Sequence, residues 1–409
     1  MSKVKWFMLL TCYSSSLLFY LFQGGRSSVL LFGILNALLL YLLLVSVLGM
    51  RKLSGSRTIG SIDQQFMAGQ TINVTVRLEH RSFIPMPYMK IEDTLIRHNG
   101  HIVPHEGLVI PNLFREVEWG YQIKNMKRGI YHFKQLSCST FDVFGLVEFK
   151  RTLKQENQLQ VLPRILNNVN WEQLLSGRKG QFHLHSKDRY AKESNQQSGI
   201  RDYVHGDRLS RVHWNATART GQWKSKDFEK EAMPKGIVIL DRYLGKPSGK
   251  PSSSLEDDAF EALVSISASL LQYGMQQQQL FTLLSPGKEL WSSSQFHGTS
   301  GYWQAMKHLV TVEPDGERPL SLLLQRAVVE LPLASTVMVV TSDATTDMLA
   351  AANVLKQKGF LPIVFFSGQS TNKNAGQHRI ASQYAYAGIP FYDLSAHMDW
   401  SAAAAGGEG

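Results

Sequence analysis

The chain has 409 residues, 44% of them hydrophobic and 19% charged, a make-up that suits two or three folded domains and excludes disorder as the main state. Its only cysteines are Cys12, inside an apolar run, and Cys138; this excludes a disulfide framework and fits a reducing compartment. The net charge of +10 is local, with six Lys/Arg and no acid in residues 1–58 and 17 Lys/Arg against 9 Asp/Glu from Lys150 to Lys235; the acids interleaved in the second stretch and the apolar N-terminal runs leave nucleic acid an unexpected partner.

Trp6 to Phe22 and Ser27 to Met50 carry no charge and are mostly apolar. A bilayer crossing needs about 20 such residues, so residues 1–58 read as an N-terminal two-helix transmembrane hairpin that anchors the chain in the lipid bilayer. A cleaved signal peptide is the alternative for the first run, but "QGGRSS" is a poor cleavage site, and the second run anchors the chain either way. Lys3 and Lys5 precede the first run, "RKLSGSR" follows the second, and the turn between holds only Arg26. The positive-inside rule then places both termini and the folded domains on the cytoplasmic side of the plasma membrane. Neither run has a charged centre that could serve a transport path.

Residues 59–165 change to period two. Ile72, Val74, Val76 and Leu78 share one face, as do Val117, Trp119, Tyr121 and Ile123, which predicts half-buried strands. Turn signals at "AGQ", "IPMP", "HNG", "KRG" and "FDVFG" space them as a small antiparallel β-sandwich of immunoglobulin type. Asp142, before a turn glycine, is expected to bond its own backbone.

Residues 166–235 form a basic linker whose densest part is "GIRDYVHGDRLSRVHWNATART". Gly206 and Asp207 read as turn and N-cap, and Gly221 as the stop, which predicts one helix from Arg208 to Thr220. On it Arg208, Arg211, Asn215 and Arg219 share a stripe, with Leu209, Val212 and Ala216 facing inward. Two readings follow. Either the guanidinium stripe meets carboxylates or phosphates of a partner, or Arg201, Asp202, Asp207, Arg211 and Arg219 form an internal charge network around a packed Trp214, leaving Arg208 outward. His205 and His213, like His183 and His185, match no zinc spacing.

From Gly236, strand-like and helix-like stretches alternate: "GIVILD", "EDDAFEALVSISASLLQYG", "QQLFTLLS", "YWQAMKHLV", "STVMVVTSD", "TTDMLAAANVLKQKG", "LPIVFFSG". This predicts a doubly wound parallel α/β domain over residues 236–400, with residues 401–409 as a flexible tail. Asp241 and Asp343 fall at strand carboxyl ends, where such sheets place their sites, and are weak candidates for a shared Mg²⁺. The chain lacks the nucleotide-binding Gly-x-x-x-x-Gly-Lys-Ser/Thr, the esterase Gly-x-Ser-x-Gly and the zinc-binding His-Glu-x-x-His, so no motif predicts an enzyme.

"RDYVHGDRLSRVHW" and "ATAR" resemble the signature of domain-of-unknown-function family number 58, matched at Arg201, Asp202, Tyr203, Gly206, Asp207, Arg211, Trp214, Ala218 and Arg219. "MKRGIYHF" and "STFDVFGLVEFKR" resemble turns of the sandwich that precedes it in that family. The resemblance implies a von Willebrand factor A-like domain after the signature and association with MoxR-type AAA+ ATPases and transglutaminase-like membrane proteins. An intact metal site of that domain would read Asp-x-Ser-x-Ser, whereas this chain reads Asp241, Arg242, Tyr243, Leu244, Gly245. The resemblance therefore implies a membrane-anchored adaptor without a cofactor. The alternative is a metal-dependent enzyme or adhesion-type module using a degenerate site at Asp241 and Asp343.

Overall fold

A computed structural model describes residues 3–48, 52–60, 65–81, 88–111, 116–146, 148–176, 192–231, 235–245, 254–293, 295, 298–327, 335–368 and 375–395. The chain divides into two compact units that meet in sequence between Leu162 and Pro163.

The first unit opens with α1 (Lys3–Gln23) and α2 (Arg26–Leu48). Gly24 and Gly25, both at positive φ, reverse the chain between them. Tyr20 stacks on Phe32 and Tyr13 tilts against it, at ring separations of 5.2 and 5.7 Å, while Phe7, Leu10, Phe22, Leu30, Ile34 and Leu40 point outward. Arg26–Val45 is long and apolar enough to cross a membrane; the apolar part of α1, Phe7–Gln23, is shorter.

Two sheets follow. β1 (Lys52–Ile59), β3 (Ile72–Arg81) and β6 (Glu116–Ile123) form an antiparallel sheet in the order β1-β3-β6. β2 (Phe66–Met67), β4 (Met89–Arg97), β5 (Ile102–Val109), β7 (Gly129–Phe141) and β8 (Glu148–Leu162) form a second, ordered β2-β8-β7-β4-β5, antiparallel except at β2. The period-two expectation holds: Ile72, Val74, Val76 and Leu78 of β3 are buried, and join Ile91, Leu95, Phe133 and Val161 of the other sheet in one core. The "IPMP" turn lies outside the described residues.

Asp93 lies in the same buried row of β4 as Met89, Ile91 and Leu95. Its carboxylate accepts a two-pronged pair from Arg57 of β1, Nε at 2.9 Å and Nη2 at 2.7 Å, and the Tyr121 hydroxyl of β6 at 2.8 Å. Arg57 Nη1 donates to the Gln155 carbonyl and to Asn157 Oδ1 of β8, both at 3.1 Å, and the guanidinium carbon lies 4.5 Å from the centre of the Phe133 ring. Arg57, counted by its sequence position among the cations after the second apolar run, is thus fully buried between the two sheets.

In the second unit, α3 (Trp171–Ser176) precedes an antiparallel pair, β9 (Lys192–Asp202) and β10 (Lys224–Glu231), with α4 (Trp214–Thr220) between those strands. A six-stranded sheet follows: β11 (Lys235–Leu240), β12 (Leu280–Pro286), β13 (Leu290–Ser292), β14 (Thr336–Thr341), β15 (Leu361–Phe366) and β16 (Phe391–Asp393). Its order is β13-β12-β11-β14-β15-β16, parallel except at the β13 edge. Its helices are α5 (Ser254–Gln276), α6 (Thr299–Thr311), α7 (Leu320–Ala327), α8 (Thr346–Gln357) and α9 (Ala375–Tyr386).

Alternation assigns the two faces of this sheet. Val238, Leu240, Met338 and Val340 pack with α5 and α6, whereas Ile237, Ile239, Val337 and Val339 pack with α7, α8 and α9, the doubly wound arrangement that strands buried on both faces require. Placing α3 in a linker does not fit its packing. The Leu166 amide donates to Ser269 Oγ of α5, Trp171 meets Phe365 edge-on, and the Tyr392 hydroxyl donates to the Leu174 carbonyl. The loop after Gly245, His183, His185 and the tail lie outside the described residues.

Replacing Asp93 with Ala strands a buried guanidinium and should destabilise the first unit by about 3–5 kcal/mol, whereas an Arg57→Met/Asp93→Leu double variant should recover most of that loss. Thermal unfolding of the full chain in detergent reads both.

Candidate functional site

The signature segment is built on the β9–β10 pair. Lys224 lies opposite Asp202 and Ser225 opposite Arg201. The excursion between them is not the single helix predicted from Arg208 to Thr220. Leu209–Arg211 is one 3-10 turn; Val212 is extended, buried and bridged to Ser225; α4 begins only at Trp214. The tether is the strand: the His213 amide donates to the Lys224 carbonyl, and the Lys224 amide to Thr217 Oγ1. His213 caps α4, its Nδ1 accepting from the Ala216 amide, and Gly221 ends the helix in the left-handed region at φ 65° as expected. This broken path dissolves the predicted stripe of Arg208, Arg211, Asn215 and Arg219, since a face shared at 100° per residue exists only on a continuous helix.

Asp207 is not an N-cap. Its carboxylate takes both guanidinium prongs of Arg201 at 2.8 Å and the Val204 amide at 3.1 Å, and Arg201, then Val204, hold it below its ordinary pKa. Asp202 pairs with Lys224 instead of an arginine. Tyr203 donates its hydroxyl to the Asp207 carbonyl, and Gly206 turns the chain at φ 110°. The charge network around a packed Trp214 is therefore corrected: one Arg–Asp pair braces the turn, and Trp214 is 61% exposed. Leu209, expected to face inward, is 62% exposed. Arg208, Asn215, Ala218 and Arg219 are exposed, and Arg211 is half-buried.

The braces present an apolar surface that the helix-based reading missed. Trp214 and Trp223 lie 6.0 Å apart between ring centres, Tyr203 and Trp223 5.4 Å apart, and Trp223, Val204 and Ile200 are each at least half exposed. Residues 199–226 hold six Lys/Arg and two Asp, so this surface combines aromatic rings with net positive charge. Its sequence signal was the placing of Trp214 and Trp223 on either side of the Gly221 stop.

The second candidate lies at the carboxyl ends of β11 and β14, where the strand order reverses and α/β sheets place ligands. Asp241 and Asp343 meet there around Thr341, whose hydroxyl donates to Asp241 Oδ2 at 2.6 Å and accepts from the Asp343 amide at 2.9 Å. Asp241 Oδ1 accepts the Tyr243 amide, and the Asp343 carboxylate accepts the Thr345 amide and hydroxyl. Burial pushes the Asp241 carboxyl up to about 7 against the pull of Thr341 and Tyr243. Arg242 turns away, pairing with Asp315 at 2.6 Å and donating to the Glu313 carbonyl. A Cβ at Gly287 would lie 2.5 Å from its guanidinium carbon, so a larger residue there would displace the Arg242–Asp315 pair. Among the described residues no three His, Cys, Asp or Glu side chains group as a metal set.

Two outcomes follow. The folded Asp241 carboxyl keeps its proton to about pH 7, whereas an unfolded one releases it near 4. Folded chains thus hold the extra proton between these values, and stability should fall as pH rises through that window by up to about 1.4 kcal/mol per unit. Denaturant unfolding of wild type and Asp241→Asn should differ by that slope across the window. Trp214→Ala, at an exposed site, should change stability by no more than about 0.5 kcal/mol in the same assay.

Residues 199–361 match the family described as "Protein of unknown function DUF58". The chain is 27% identical over 358 residues to the "Uncharacterized protein YeaD" of Bacillus subtilis (strain 168), covering 85% of each chain. Among solved structures, a von Willebrand factor type A protein from Catenulispora acidiphila aligns with 44% of this chain and 43% of its own at 9% identity and a TM-score of 0.27. Proximal thread matrix protein 1 of the mussel byssus aligns with 42% of this chain and 47% of its own at 13% identity and a TM-score of 0.28. Likenesses that low bear on neither fold nor function. The resemblance carried by the signature is nonetheless shown: over residues 199–361 the chain is similar to domain-of-unknown-function family number 58.

Proposed function

We propose that this chain is a membrane-anchored cytoplasmic adaptor whose aromatic and basic surface at residues 199–226 binds a protein partner. The observation that carries the reading is the exposure of Trp214, at the start of α4, and of Trp223, just before β10, with their rings 6.0 Å apart between centres. Aromatic side chains held rigidly at a surface lose little entropy on binding, and Trp and Arg dominate binding hot spots. Six cations against two acids in this segment favour a partner segment that is acidic and carries apolar side chains.

In this reading α1 and α2 are a transmembrane hairpin in the plasma membrane, with Lys3, Lys5, Arg51 and Lys52 on the cytoplasmic side. The two sheets are an immunoglobulin-like sandwich, and the α/β sheet with its helices is a von Willebrand factor A-like domain. The partner is a MoxR-type AAA+ ATPase or a transglutaminase-like membrane protein, and the role is assembly or envelope-related maturation. The chain acts by binding rather than catalysis and needs no cofactor.

Tagged full-length protein purified from its own cells in mild detergent should bring down the AAA+ ATPase, and a Trp214→Ala/Trp223→Ala variant with an unchanged melting curve should lose it. Recovery undiminished in the variant, or no ATPase with wild type, would remove the assignment.

A further inference from the structure

The β7–β8 hairpin ends in a turn, Asp142 to Leu146, that displays two apolar side chains while satisfying its own backbone. The buried Asp142 carboxylate accepts the Phe144 and Leu146 amides at 3.1 and 2.6 Å, and the Asp142 carbonyl accepts the Gly145 amide at 2.9 Å. Gly145 closes the turn at φ 68°. Val143 and Phe144 project from it, 58% and 60% exposed. An acid spent on holding the turn, with two large apolar groups outside it, is an unfavourable arrangement in water.

The neighbour of this tip is α2. The Phe144 ring meets Tyr41 edge-on at 5.3 Å between centres. Tyr41 belongs to the stretch Arg26–Val45 that is long and apolar enough to cross a membrane, four residues before its end. At about 1.5 Å per residue, that lies about 6 Å inside the apolar stretch, the depth at which interfacial apolar side chains enter the boundary between headgroups and acyl chains. Backbone amides may enter a bilayer only when bonded internally, and those of Phe144, Gly145 and Leu146 are. Glu148 lies opposite Phe141 at the base of the turn, and Lys150 and Arg151 follow, a charged collar at the level where headgroups would begin.

We propose that the Asp142–Leu146 turn is a second membrane contact, with Val143 and Phe144 inserted at the headgroup boundary of the bilayer that α2 crosses. The tip and α2 together would hold the two-sheet unit in one orientation on the membrane, where a single tether would let it tumble. This inference rests on the reading of Arg26–Val45 as a span.

The test uses full-length protein in phosphatidylcholine vesicles whose lipids carry a nitroxide near the top of the acyl chain. In a Cys12→Ser background, where Cys138 stays buried in the core, an environment-sensitive fluorophore is placed by Phe144→Cys or Val143→Cys. Control labels are placed by Leu40→Cys on α2 and Ile102→Cys on β5, both exposed positions. The expected result is blue-shifted, nitroxide-quenched emission at 144, 143 and 40, and unquenched emission at 102. Quenching at 40 with water-like emission at both 143 and 144 overturns the inference while leaving the span intact. Unquenched emission at 40 overturns the span, and the inference with it.

Discussion

The first unit depends on one buried charge pair. Arg57 and Asp93 come from different sheets and have no side-chain exposure, so neither charge is offset by water. They are tolerable only because every prong is used: two on the carboxylate, one shared by the Gln155 carbonyl and Asn157, with Tyr121 on the remaining face of Asp93. Low dielectric strengthens each of these bonds and equally penalises any that is missing. A lysine at 57 would reach the carboxylate but could not span both oxygens and the β8 carbonyl in one plane. The pair thus specifies which strands of the two sheets face each other, a selection that the surrounding aliphatic side chains, being non-directional, make weakly.

The second unit is organised by hydrophobic burial on both faces of a parallel sheet, and polar groups appear where that burial ends. Asp241 follows the last buried residue of β11, and Thr341 ends β14. Their hydrogen bond joins two strands at the point where the chain's winding reverses. Arg242, one residue on, points instead to Asp315 and the carbonyl of Glu313. At this switch point Asp241 bonds Thr341 and the Tyr243 amide, and Asp343 bonds the Thr345 amide.

The signature segment inverts the usual relation between a conspicuous sequence and a packed interior. Its polar residues do the internal work, Arg201 on Asp207 and Lys224 beside Asp202, while Trp214, Trp223 and Leu209 stand in solvent. An aromatic surface of this kind is unfavourable in an isolated chain and becomes favourable when covered, which is why binding is the function that its geometry supports.

Much of the architecture was legible because it follows from local periodicity. The apolar runs, the alternation in β3 and β6, the strand–helix succession from Gly236 and the self-bonded Asp142 all depend on neighbours a few residues apart. The segment from Arg208 to Thr220 misled for the same reason: its helical spacing is genuine, but Val212 is captured by Ser225 of β10, a neighbour thirteen positions on that no local pattern reveals. The Arg57–Asp93 pair, the α3 contacts with Ser269 and Tyr392, and the meeting of Asp241 with Asp343 are likewise decided by tertiary structure. Sequence by itself determined which stretches must be buried and with what period, because hydrophobic burial reads the side-chain repeat; which charges meet was decided only by the fold, because a pair depends on distance in space and not along the chain.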